Sequence, residues 1–329
     1  MKTVLITGGL GFIGSHTAVE CLEAGYQVLI FDDLSNASLD VLIHIETITS
    51  KKPVFVQGSI LDKSLLHSVF ERHSVDAVIH FAAFKAVNES VEQPWMYLHN
   101  NVAGTMTLLE VMKQHQVHKL VFSSSATVYD DEQTPPFEES MRCSSKHAYG
   151  QSKIMVETML SLLEKELSSI SLRYFNPVGA HPSGLIGESP RNRPNNLMPL
   201  INQVATCQRE MLEIYGDDYP TKDGTPERDY VHVVDVARAH ILALKKLEAF
   251  QGAEAINIGT GSPLSVLELI QTYERVNQVS IPHEFTSRRL GDAAVSYASI
   301  KKAKQWLNYS PTMSKEQMCI HAYQFVSNH

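Results

Sequence analysis

The sequence predicts an α/β protein built on a doubly wound parallel sheet, with a smaller α+β part in its second half. Two observations support this prediction. From residue 3 to about residue 174, short apolar runs alternate with segments of helical periodicity, which is typical of parallel strands joined by helices on both faces of one sheet. Beyond them, residues 176–231 are rich in Pro, Asn, Gly and charge, as expected of loops and short elements that form a binding region.

The first predicted unit is a strand, a glycine-rich loop, a helix and a second strand. They cover residues 4–6, 7–14, 15–24 and 27–31, and Asp32 ends the unit. Glycines let the backbone approach a pyrophosphate, the helix N-terminus stabilises its charge, and the acid binds ribose hydroxyls. The alternative, a structural glycine turn, would not require this order. No arginine follows the acid to hold a 2′-phosphate, so the unit favours NAD over NADP.

The alternation then continues along the chain. We predict, in order, strand 54–56, helix 62–72, strand 77–81, helix 92–114, strand 119–122, helix 148–167 and strand 170–174, then helices near 196–208 and over 233–247 and a strand over 255–258. Ligands of such sheets bind at the carboxyl ends of the strands. Residues 59–60, 82–85 and 123–127 lie there. The serine triplet in the last stretch is either a simple loop or part of a ligand site.

Tyr149 and Lys153 lie four residues apart at the start of a predicted helix, and therefore on one face of it. A free tyrosine has a pKa of about 10 and is a poor base at neutral pH. A neighbouring ammonium favours the phenolate, so the pair could supply a general base near the working pH. Alone, the pair is better explained by an ordinary amphipathic helix. The dinucleotide unit favours the catalytic interpretation, with Ser125 as a hydrogen-bond partner for the substrate.

Composition excludes several classes of protein. The chain has 329 residues, 43% hydrophobic and 19% charged, as in ordinary globular proteins. A formal net charge of -8 disfavours nucleic acid and anionic membrane surfaces as partners. The four cysteines are far apart, which favours reduced thiols in a cytoplasmic protein over disulfides or zinc. We expect no signal peptide, no membrane-spanning helix and no metal site.

The glycine pattern together with Tyr149-x-x-x-Lys153 resembles the extended short-chain dehydrogenase/reductase superfamily. Within it, residues 81–90, 123–129 and 172–182 are similar to the UDP-glucose 4-epimerase family, and the similarity runs from residue 3 to about 309. This resemblance implies a Rossmann-type NAD-binding domain and a smaller substrate-binding domain. The first would cover residues 1–175, with 232–258 packing back onto it, and the second residues 176–231 and 259–329.

The resemblance implies NAD-dependent inversion of C4 of a UDP-hexose through a 4-keto intermediate, which interconverts UDP-glucose and UDP-galactose. Tyr149 would be the base, Ser125 would hydrogen-bond the same sugar oxygen, and Lys153 would hold the cofactor ribose and lower the pKa of Tyr149. The implied cofactor-binding residues are Gly8, Gly11, Phe12, Ile13, Gly14, Asp32, Asp33, Ser35, Asn36, Ser59, Ile60, Phe81, Ala82, Ala83, Lys85, Asn100, Ser125, Tyr149, Lys153 and Phe175.

The resemblance also implies a substrate site in which arginines bind the diphosphate with parallel donors. Its residues would be Lys85, Ser125, Tyr149, Asn176, Asn196, Leu197, Glu213, Ile214, Tyr215, Arg228, Arg289, Asp292 and Ser296. Ser296 lies at the family's hexose-pocket gate, where a small residue leaves room for 2-N-acetyl sugars. We therefore expect UDP-GlcNAc and UDP-GalNAc as further substrates, although a one-residue slip would put Tyr297 there instead.

The chain departs from the family pattern at three positions. Ser59 replaces an Asp that meets the adenine, Asp130 replaces a Gly, and Gln151 replaces a Lys. None removes a catalytic group.

Two other functions are compatible with this fold. A nucleotide-sugar 4,6-dehydratase needs an acid/base pair where Ala126 and Thr127 stand, and a non-catalytic NAD-binding subunit typically lacks the Tyr or the Lys. We also expect a homodimer that packs residues 92–114 and 148–167 of each subunit about a two-fold axis.

Overall fold

The computed structural model describes residues 1–130, 132–190, 194, 196–289 and 291–328. The chain divides into two compact units. The first unit consists of Met1–Asp130, Glu139–Tyr174 and Ala237–Ile256, and the second of Asp131–Glu138, Phe175–Val236 and Asn257–His329. The assignment of these two units to cofactor and substrate stays a prediction.

The first half of the chain alternates strands and helices. Its elements are β1 (Thr3–Thr7), α1 (Phe12–Glu23), β2 (Gln27–Asp32), α2 (Asp40–Thr49), β3 (Val54–Gln57), α3 (Lys63–Arg72), β4 (Ala77–His80), α4 (Val87–Glu92), α5 (Pro94–Tyr97), a π-helical turn (Leu98–Ala103), α6 (Gly104–Gln114), β5 (Lys119–Ser125), a 3₁₀ turn (Ala126–Val128), α7 (Ala148–Leu162) and β6 (Ser168–Tyr174).

The second half contains shorter elements. They are β7 (Asn176–Val178), α8 (Leu197–Ala205), β8 (Leu212–Tyr215), β9 (Glu227–Arg228), β10 (Tyr230–His232), α9 (Val233–Lys246), β11 (Ala253–Ile258), β12 (Leu264–Ser265), α10 (Val266–Asn277), β13 (His283–Thr286), β14 (Val295–Ser296), α11 (Lys301–Leu307) and α12 (Lys315–Ser327).

The central sheet has seven strands in the order β11-β6-β5-β4-β1-β2-β3. The neighbouring pairs from β6 to β3 are parallel. Apolar strand residues such as Leu5, Val78 and Leu120 pack against Leu108 and Val156 of the flanking helices, all within one buried cluster. The predicted doubly wound parallel sheet is confirmed. It brings the carboxyl ends of β1, β4 and β5 to one edge, where such sheets bind ligands.

Two predicted helices differ from the structure. Residues 92–114 form three successive segments, because Pro94 has no backbone N–H to continue α4 and instead begins α5, after which the π-helical turn leads into α6. The helix predicted over residues 148–167 ends at Leu162. The serine triplet is also not a loop, because it forms the last three residues of β5.

The second unit is built from small sheets and helices, as expected of an α+β part. β7 pairs with β10, β9 lies between β12 and β14, and β8 pairs with β13. Buried side chains of α8, α10 and α12 form a separate apolar cluster that includes Ile201, Tyr273 and Met318. Among the helices of the described residues, none is long and apolar enough to cross a membrane.

Candidate active site

The structure brings Tyr149 and Lys153 together in the first turns of α7. The Nδ1 atom of His147 caps this helix by accepting a hydrogen bond from the backbone N–H of Gly150 at 3.1 Å. Lys153 is 3% exposed, and its Nζ atom lies 5.7 Å from the centre of the Tyr149 ring. The ammonium donates a hydrogen bond to the carbonyl oxygen of Ser123 at 2.7 Å. The i, i+4 spacing thus produces the predicted pair.

Ser125 completes this cluster from the end of β5. Its side chain hydrogen-bonds the phenol of Tyr149. Its oxygen also accepts hydrogen bonds from the backbone N–H and the hydroxyl of Thr127, at 3.2 and 3.0 Å. Thr127 stands where a dehydratase would need an acidic residue, and here it orients the Ser125 hydroxyl toward Tyr149.

The electrostatics differ from the sequence-based expectation that Lys153 lowers the pKa of Tyr149. Burial raises the pKa of Tyr149, and the hydrogen bond from Ser125 and the positive charge of Lys85 partly oppose this rise. Burial also lowers the pKa of Lys153, to about 7, so the side-chain amine of Lys153 is only partly protonated at neutral pH. In the protein alone, the Tyr149 phenol therefore keeps its proton at neutral pH.

Asn101 holds the loop after β4 against α7, and sequence reasoning missed it. Its amide oxygen accepts a hydrogen bond from the backbone N–H of Phe84 at 2.9 Å, and its amide nitrogen donates to the carbonyl oxygen of Phe84 at 3.0 Å. The same nitrogen donates to the Ser152 hydroxyl at 3.2 Å. The predicted Asn100 donates to Asn101 at 3.0 Å. Lys85, an exposed residue of this partly buried loop, reaches Tyr149 electrostatically.

His80 is a second residue that sequence reasoning missed. It is 2% exposed at the end of β4, and its two ring nitrogens lie 2.6 Å from the Thr7 hydroxyl and 2.8 Å from the Thr105 hydroxyl. The Thr105 hydroxyl donates to the Asn101 carbonyl at 2.6 Å, so it accepts from the His80 ring, whose other nitrogen accepts from Thr7. Burial lowers the pKa of His80 to about 3, consistent with a neutral ring.

The glycine loop fits a dinucleotide pyrophosphate. Gly8 has φ +68, and a Cβ atom there would lie 2.7 Å from the backbone nitrogen of Ala82. A Cβ atom on Gly14 would collide with the Gly8 carbonyl oxygen. Because these glycines carry no side chains, the start of α1 is open to a phosphate. The positive end of the helix macrodipole favours the anion. The predicted residues Gly11, Phe12 and Ile13 form that helix start.

The remaining residues predicted to bind the cofactor differ in burial. Asp32 is 7% exposed, and its carboxylate accepts from the backbone N–H groups of Leu10 at 3.0 Å and Leu34 at 2.9 Å, which ties the end of β2 to the glycine loop. Ile60 is 3% exposed and its side chain belongs to the core cluster, so only its backbone is available to a cofactor. The Ser59 hydroxyl accepts from the backbone N–H of Leu61 at 3.3 Å.

Three other residues predicted to bind the cofactor contact neighbouring protein groups. Asp33 accepts from the backbone N–H of Ser35 at 2.9 Å in the turn that precedes Asn36. Phe81 packs on the ring of His240, with centroids 4.7 Å apart. Ala83, between Phe81 and Lys85, lies partly buried in the same loop as Ala82.

The arginines predicted to bind the diphosphate have different partners in the second unit. Arg228 forms an ion pair with Asp292, and the side chains are 15% and 31% exposed. Its guanidinium also donates to the carbonyl oxygen of Glu227 at 2.8 Å. Arg289 is exposed and lies over the ring of Tyr215, with its guanidinium carbon 3.9 Å from the ring centre. The structure thus holds Arg228 in place and leaves Arg289 on the surface of the unit.

The predicted substrate residues Glu213, Ile214 and Tyr215 lie on β8. Its side chains alternate, so Ile214 is 1% exposed in the core while Glu213 and Tyr215 lie on the opposite face. The carboxylate of Glu213 accepts from Arg209 at 2.9 Å and from the Tyr215 hydroxyl at 3.4 Å. The side chain of Ile214 packs in the core, and the role of this residue beside a ligand stays a prediction.

The other predicted substrate residues are spread along the second unit. Asn196 precedes α8, which begins at Leu197, and donates to Glu188 at 2.9 Å. Phe175, predicted to contact the cofactor, is 7% exposed and packs near Phe137 with ring centroids 6.3 Å apart.

Asp229 ties several of these segments together, and no sequence pattern indicated it. It is fully buried, its backbone N–H donates to the Ser296 carbonyl oxygen at 3.0 Å, and its carbonyl oxygen accepts from Asn176 at 2.9 Å. Its carboxylate accepts from the backbone N–H groups of Thr260 at 2.7 Å and Ala298 at 3.1 Å. This residue follows Arg228 directly, so it fixes three segments that carry predicted substrate residues.

The comparisons with known proteins agree with this geometry. The model of the NAD dependent epimerase/dehydratase family matches residues 4–259. The chain is 47% identical to a UDP-glucose 4-epimerase of Bacillus subtilis, with 99% of this chain and 97% of that protein covered. The structure of a UDP-glucose-4-epimerase from Stenotrophomonas maltophila with bound NAD and formylated UDP-arabinopyranose matches with a TM-score of 0.97 at 43% identity, covering 100% of this chain and 98% of that one.

A second solved structure, of UDP-glucose 4-epimerase from Bifidobacterium longum in complex with NAD+ and UDP, matches with a TM-score of 0.94 at 40% identity, covering 99% of this chain and 98% of that one. The chain therefore belongs to the NAD-dependent epimerase/dehydratase family. Within that family it belongs with the UDP-glucose 4-epimerases, so the resemblance predicted from the sequence and the predicted dependence on NAD are both confirmed.

Proposed function

We propose that the protein interconverts UDP-glucose and UDP-galactose by inverting C4 of the hexose through a 4-keto sugar. The observation that carries this proposal is the cluster of Ser125, Tyr149 and Lys153 at the carboxyl end of β5, in a chain of an NAD-dependent epimerase family. NAD, when bound, supplies the acceptor and donor of the C4 hydride. Gly8, Gly14 and their neighbours at the start of α1 would hold its pyrophosphate.

Tyr149 would move the proton of the sugar 4-hydroxyl. As a phenolate it accepts this proton, and it returns the proton once the other face of C4 is presented. Ser125 would hydrogen-bond the same sugar oxygen, since it already donates toward the phenol. Because burial raises the pKa of Tyr149, the phenolate needs the positive charge of Lys85 and the hydrogen bond from Ser125. We assign further support to the Lys153 ammonium, whose Nζ atom lies 5.7 Å from the ring centre.

The 4-keto sugar must rotate within the site, so that the other face of C4 is presented, while the nucleotide stays bound. We assign the firm grip to Arg228 and Arg289, whose guanidinium groups suit a diphosphate, and to Asn176 and Asn196. The ion pair of Arg228 with Asp292 supports this assignment, because a carboxylate that holds the guanidinium in place preorganises it for a second anion.

The test is to incubate purified protein with UDP-galactose, without added NAD, and to follow the formation of UDP-glucose with a coupled dehydrogenase. We expect turnover, because the cofactor is regenerated in each cycle and stays bound. Formation of a product that has lost one water would instead establish a 4,6-dehydratase. An NAD-loaded protein that forms no product would support a non-catalytic subunit.

We further propose that the site accepts UDP-GlcNAc and UDP-GalNAc, with Ser296 at the gate of the hexose pocket. β14 pairs with β9 so that Ser296 lies opposite Arg228. Tyr297 directly follows β14. Successive residues of an extended chain point to opposite faces, so we expect only one of Ser296 and Tyr297 to line the pocket.

Wild-type enzyme and the Ser296→Tyr variant would be assayed with both substrate pairs. We expect the variant to lose turnover of UDP-GlcNAc and to keep that of UDP-galactose, because the added ring fills space that only the acetamido group needs. A wild-type enzyme that does not turn over UDP-GlcNAc would rule the proposal out.

We infer that the enzyme is a cytoplasmic homodimer. Support for the dimer comes from large apolar side chains exposed on the two predicted interface segments, of which Trp95 is 82% and Leu162 80% exposed. Support for a reducing compartment comes from the four cysteines, all free. The variants Trp95→Asp and Leu162→Asp should give monomers by light scattering, and Ile43→Asp, at an exposed position of α2, is the matched control.

A further inference from the structure

The serine triplet of β5 is bound to α7 in successive turns of the helix. Two of these contacts belong to the catalytic cluster: Ser125 hydrogen-bonds Tyr149, and the Ser123 carbonyl oxygen accepts from Lys153. Residues four apart on a helix lie on one face. The next residue on that face of α7 is therefore Glu157, and the remaining serine of the triplet is Ser124.

Ser124 and Glu157 form the third contact. The Ser124 hydroxyl donates to the Oε1 atom of Glu157 at 2.5 Å. The carboxylate is 13% exposed, and both of its oxygens also accept from Arg173 on β6, at 3.0 and 2.5 Å. Glu157 thus connects α7 to two adjacent strands of the sheet, one turn after Lys153.

We propose that Glu157 is a positioning residue of the active site, which fixes Lys153 and Tyr149 against the strand that carries Ser125. This inference rests on the proposed epimerase activity. Glu157 contacts neither the phenol nor the lysine in a hydrogen bond. It acts on them in two ways. The helix links Tyr149, Lys153 and Glu157, which are spaced one turn apart. The negative charge of Glu157 also raises the pKa of Lys153, which burial lowers.

The competing explanation is a buried ion pair that only stabilises the fold. Arg173 is 5% exposed and also donates to the Tyr129 hydroxyl at 3.0 Å, so Glu157 has a structural partner in any case. The two explanations differ in the pH dependence of turnover. A purely structural contact changes the amount of active protein at every pH alike, whereas a positioning charge changes the protonation of Lys153 and of the base it supports.

Other groups surround this cluster and stay unchanged in the test. His80 on β4 and Lys85 in the following loop interact electrostatically with Lys153 and Tyr149 respectively. Tyr174 on β6 interacts with Tyr149, and Cys143 interacts with both Glu157 and Arg173. Two further titratable neighbours are Tyr129, beside Arg173, and Tyr97, which interacts with Tyr149.

The experiment compares Glu157→Gln with wild-type enzyme in the conversion of UDP-galactose from pH 6 to pH 10. Removal of the negative charge lowers the pKa of Lys153, so the ammonium is lost at a lower pH and supports the phenolate less well. We expect the alkaline limb of kcat to move to lower pH by about half a unit or more and kcat on that limb, at pH 8, to fall about threefold or more. KM and the NAD content should be nearly unchanged.

Three further variants make the result decisive. Glu157→Asp keeps the charge and should restore the alkaline limb, and Glu164→Gln, the same change at an exposed position after α7, should leave the profile as in wild type. If Glu157→Gln does not fold, Ser124→Ala is measured instead. It removes only the hydrogen bond to Glu157 and should lower kcat by about threefold at unchanged KM.

Wild-type pH limbs in Glu157→Gln, or wild-type kcat in Ser124→Ala, would overturn the inference. An inactive wild-type enzyme would instead contradict the proposed function, so the two failures are distinguishable.

Discussion

Lys153 donates its hydrogen bond to the backbone carbonyl oxygen of Ser123, two residues before Ser125 on the same strand. The ammonium is therefore fixed by a neutral acceptor, in a position that is 3% exposed. A carbonyl dipole compensates burial less completely than a carboxylate would, and the pKa of Lys153 is lowered to about 7. A catalytic lysine held in this way costs stability.

We predict that Lys153→Met stabilises the fold while it abolishes turnover. The folded pKa of Lys153, about 7, is below its ordinary value of 10.5. The unfolded state thus binds more protons between these pH values, so wild-type stability rises with pH by about 1.4 kcal/mol per unit there. The advantage of the variant, of the order of a few kcal/mol below pH 7, should shrink toward pH 10. Urea unfolding at pH 6.5, 8 and 9.5 measures it. A difference that does not change with pH would contradict the prediction.

Tyr149→Phe should nearly abolish epimerisation and leave NAD bound. The variant removes the hydroxyl that takes the sugar proton, and general acid–base catalysis contributes about 10²–10⁴-fold. The ring remains to pack beside His147, with which it is stacked at 6.1 Å. Coupled assay of turnover and release of NAD on denaturation provide the two measurements. Near-normal turnover would refute Tyr149 as the base, and lost NAD would show that the variant is not a clean test.

Gly14→Ala should empty the cofactor site without touching the catalytic cluster. The added Cβ would collide with the Gly8 carbonyl oxygen and lie 2.9 Å from the Cα atom of Gly9, both of which are backbone atoms that cannot move aside cheaply. We expect the purified variant to contain much less NAD and to regain part of its turnover when NAD is added in excess. In Gly25→Ala the added Cβ meets nothing within 4 Å but φ is +88, which is strained for alanine, so this variant controls for a general loss of stability away from the glycine loop. Stoichiometric NAD in Gly14→Ala would disprove this role of the loop.

The Rossmann-like sheet and the dependence on NAD could be predicted because their signals are local in sequence. The strand, glycines, helix and acid of the first unit follow one another within 32 residues of the N-terminus, and the Tyr149–Lys153 pair needs only helical spacing. His80 could not be predicted in the same way. A histidine in an apolar strand resembles any core residue, and its partners Thr7 and Thr105 lie 73 and 25 residues away in the chain.

The second unit was less predictable for the same reason. Its strands are two to four residues long and pair with distant segments, so hydrophobic periodicity is too short to detect. The break of the helix predicted over residues 92–114 is different, since Pro94 was a visible signal for it. The π-helical turn that follows was not, because it depends on tertiary contacts such as those of Asn101 with Phe84.

The last prediction concerns Asp229, whose carboxylate accepts hydrogen bonds only from N–H and hydroxyl groups: the backbone N–H groups of Thr260, Gly261 and Ala298 and the Thr260 hydroxyl. Burial raises the pKa of Asp229, and these donors oppose the rise. In Asp229→Asn an amide nitrogen replaces one carboxylate oxygen. The nitrogen is itself a donor, so it would face other donors where the oxygen accepted hydrogen bonds from them. We expect a loss of about 2–4 kcal/mol in the free energy of unfolding, because a buried donor is left without an acceptor.

The same substitution should weaken substrate binding more than it slows chemistry, because Asp229 fixes Ser296 and Asn176 through its backbone and lies next to Arg228. We expect KM for UDP-galactose and the inhibition constant of UDP to rise by about tenfold or more, with kcat changed far less. Asp218→Asn is the matched control, because Asp218 is 69% exposed and pairs with the surface residue Arg288. Its substitution should leave the free energy of unfolding nearly unchanged. Equal effects of both variants on KM would show that Asp229 does not organise the substrate-binding segments.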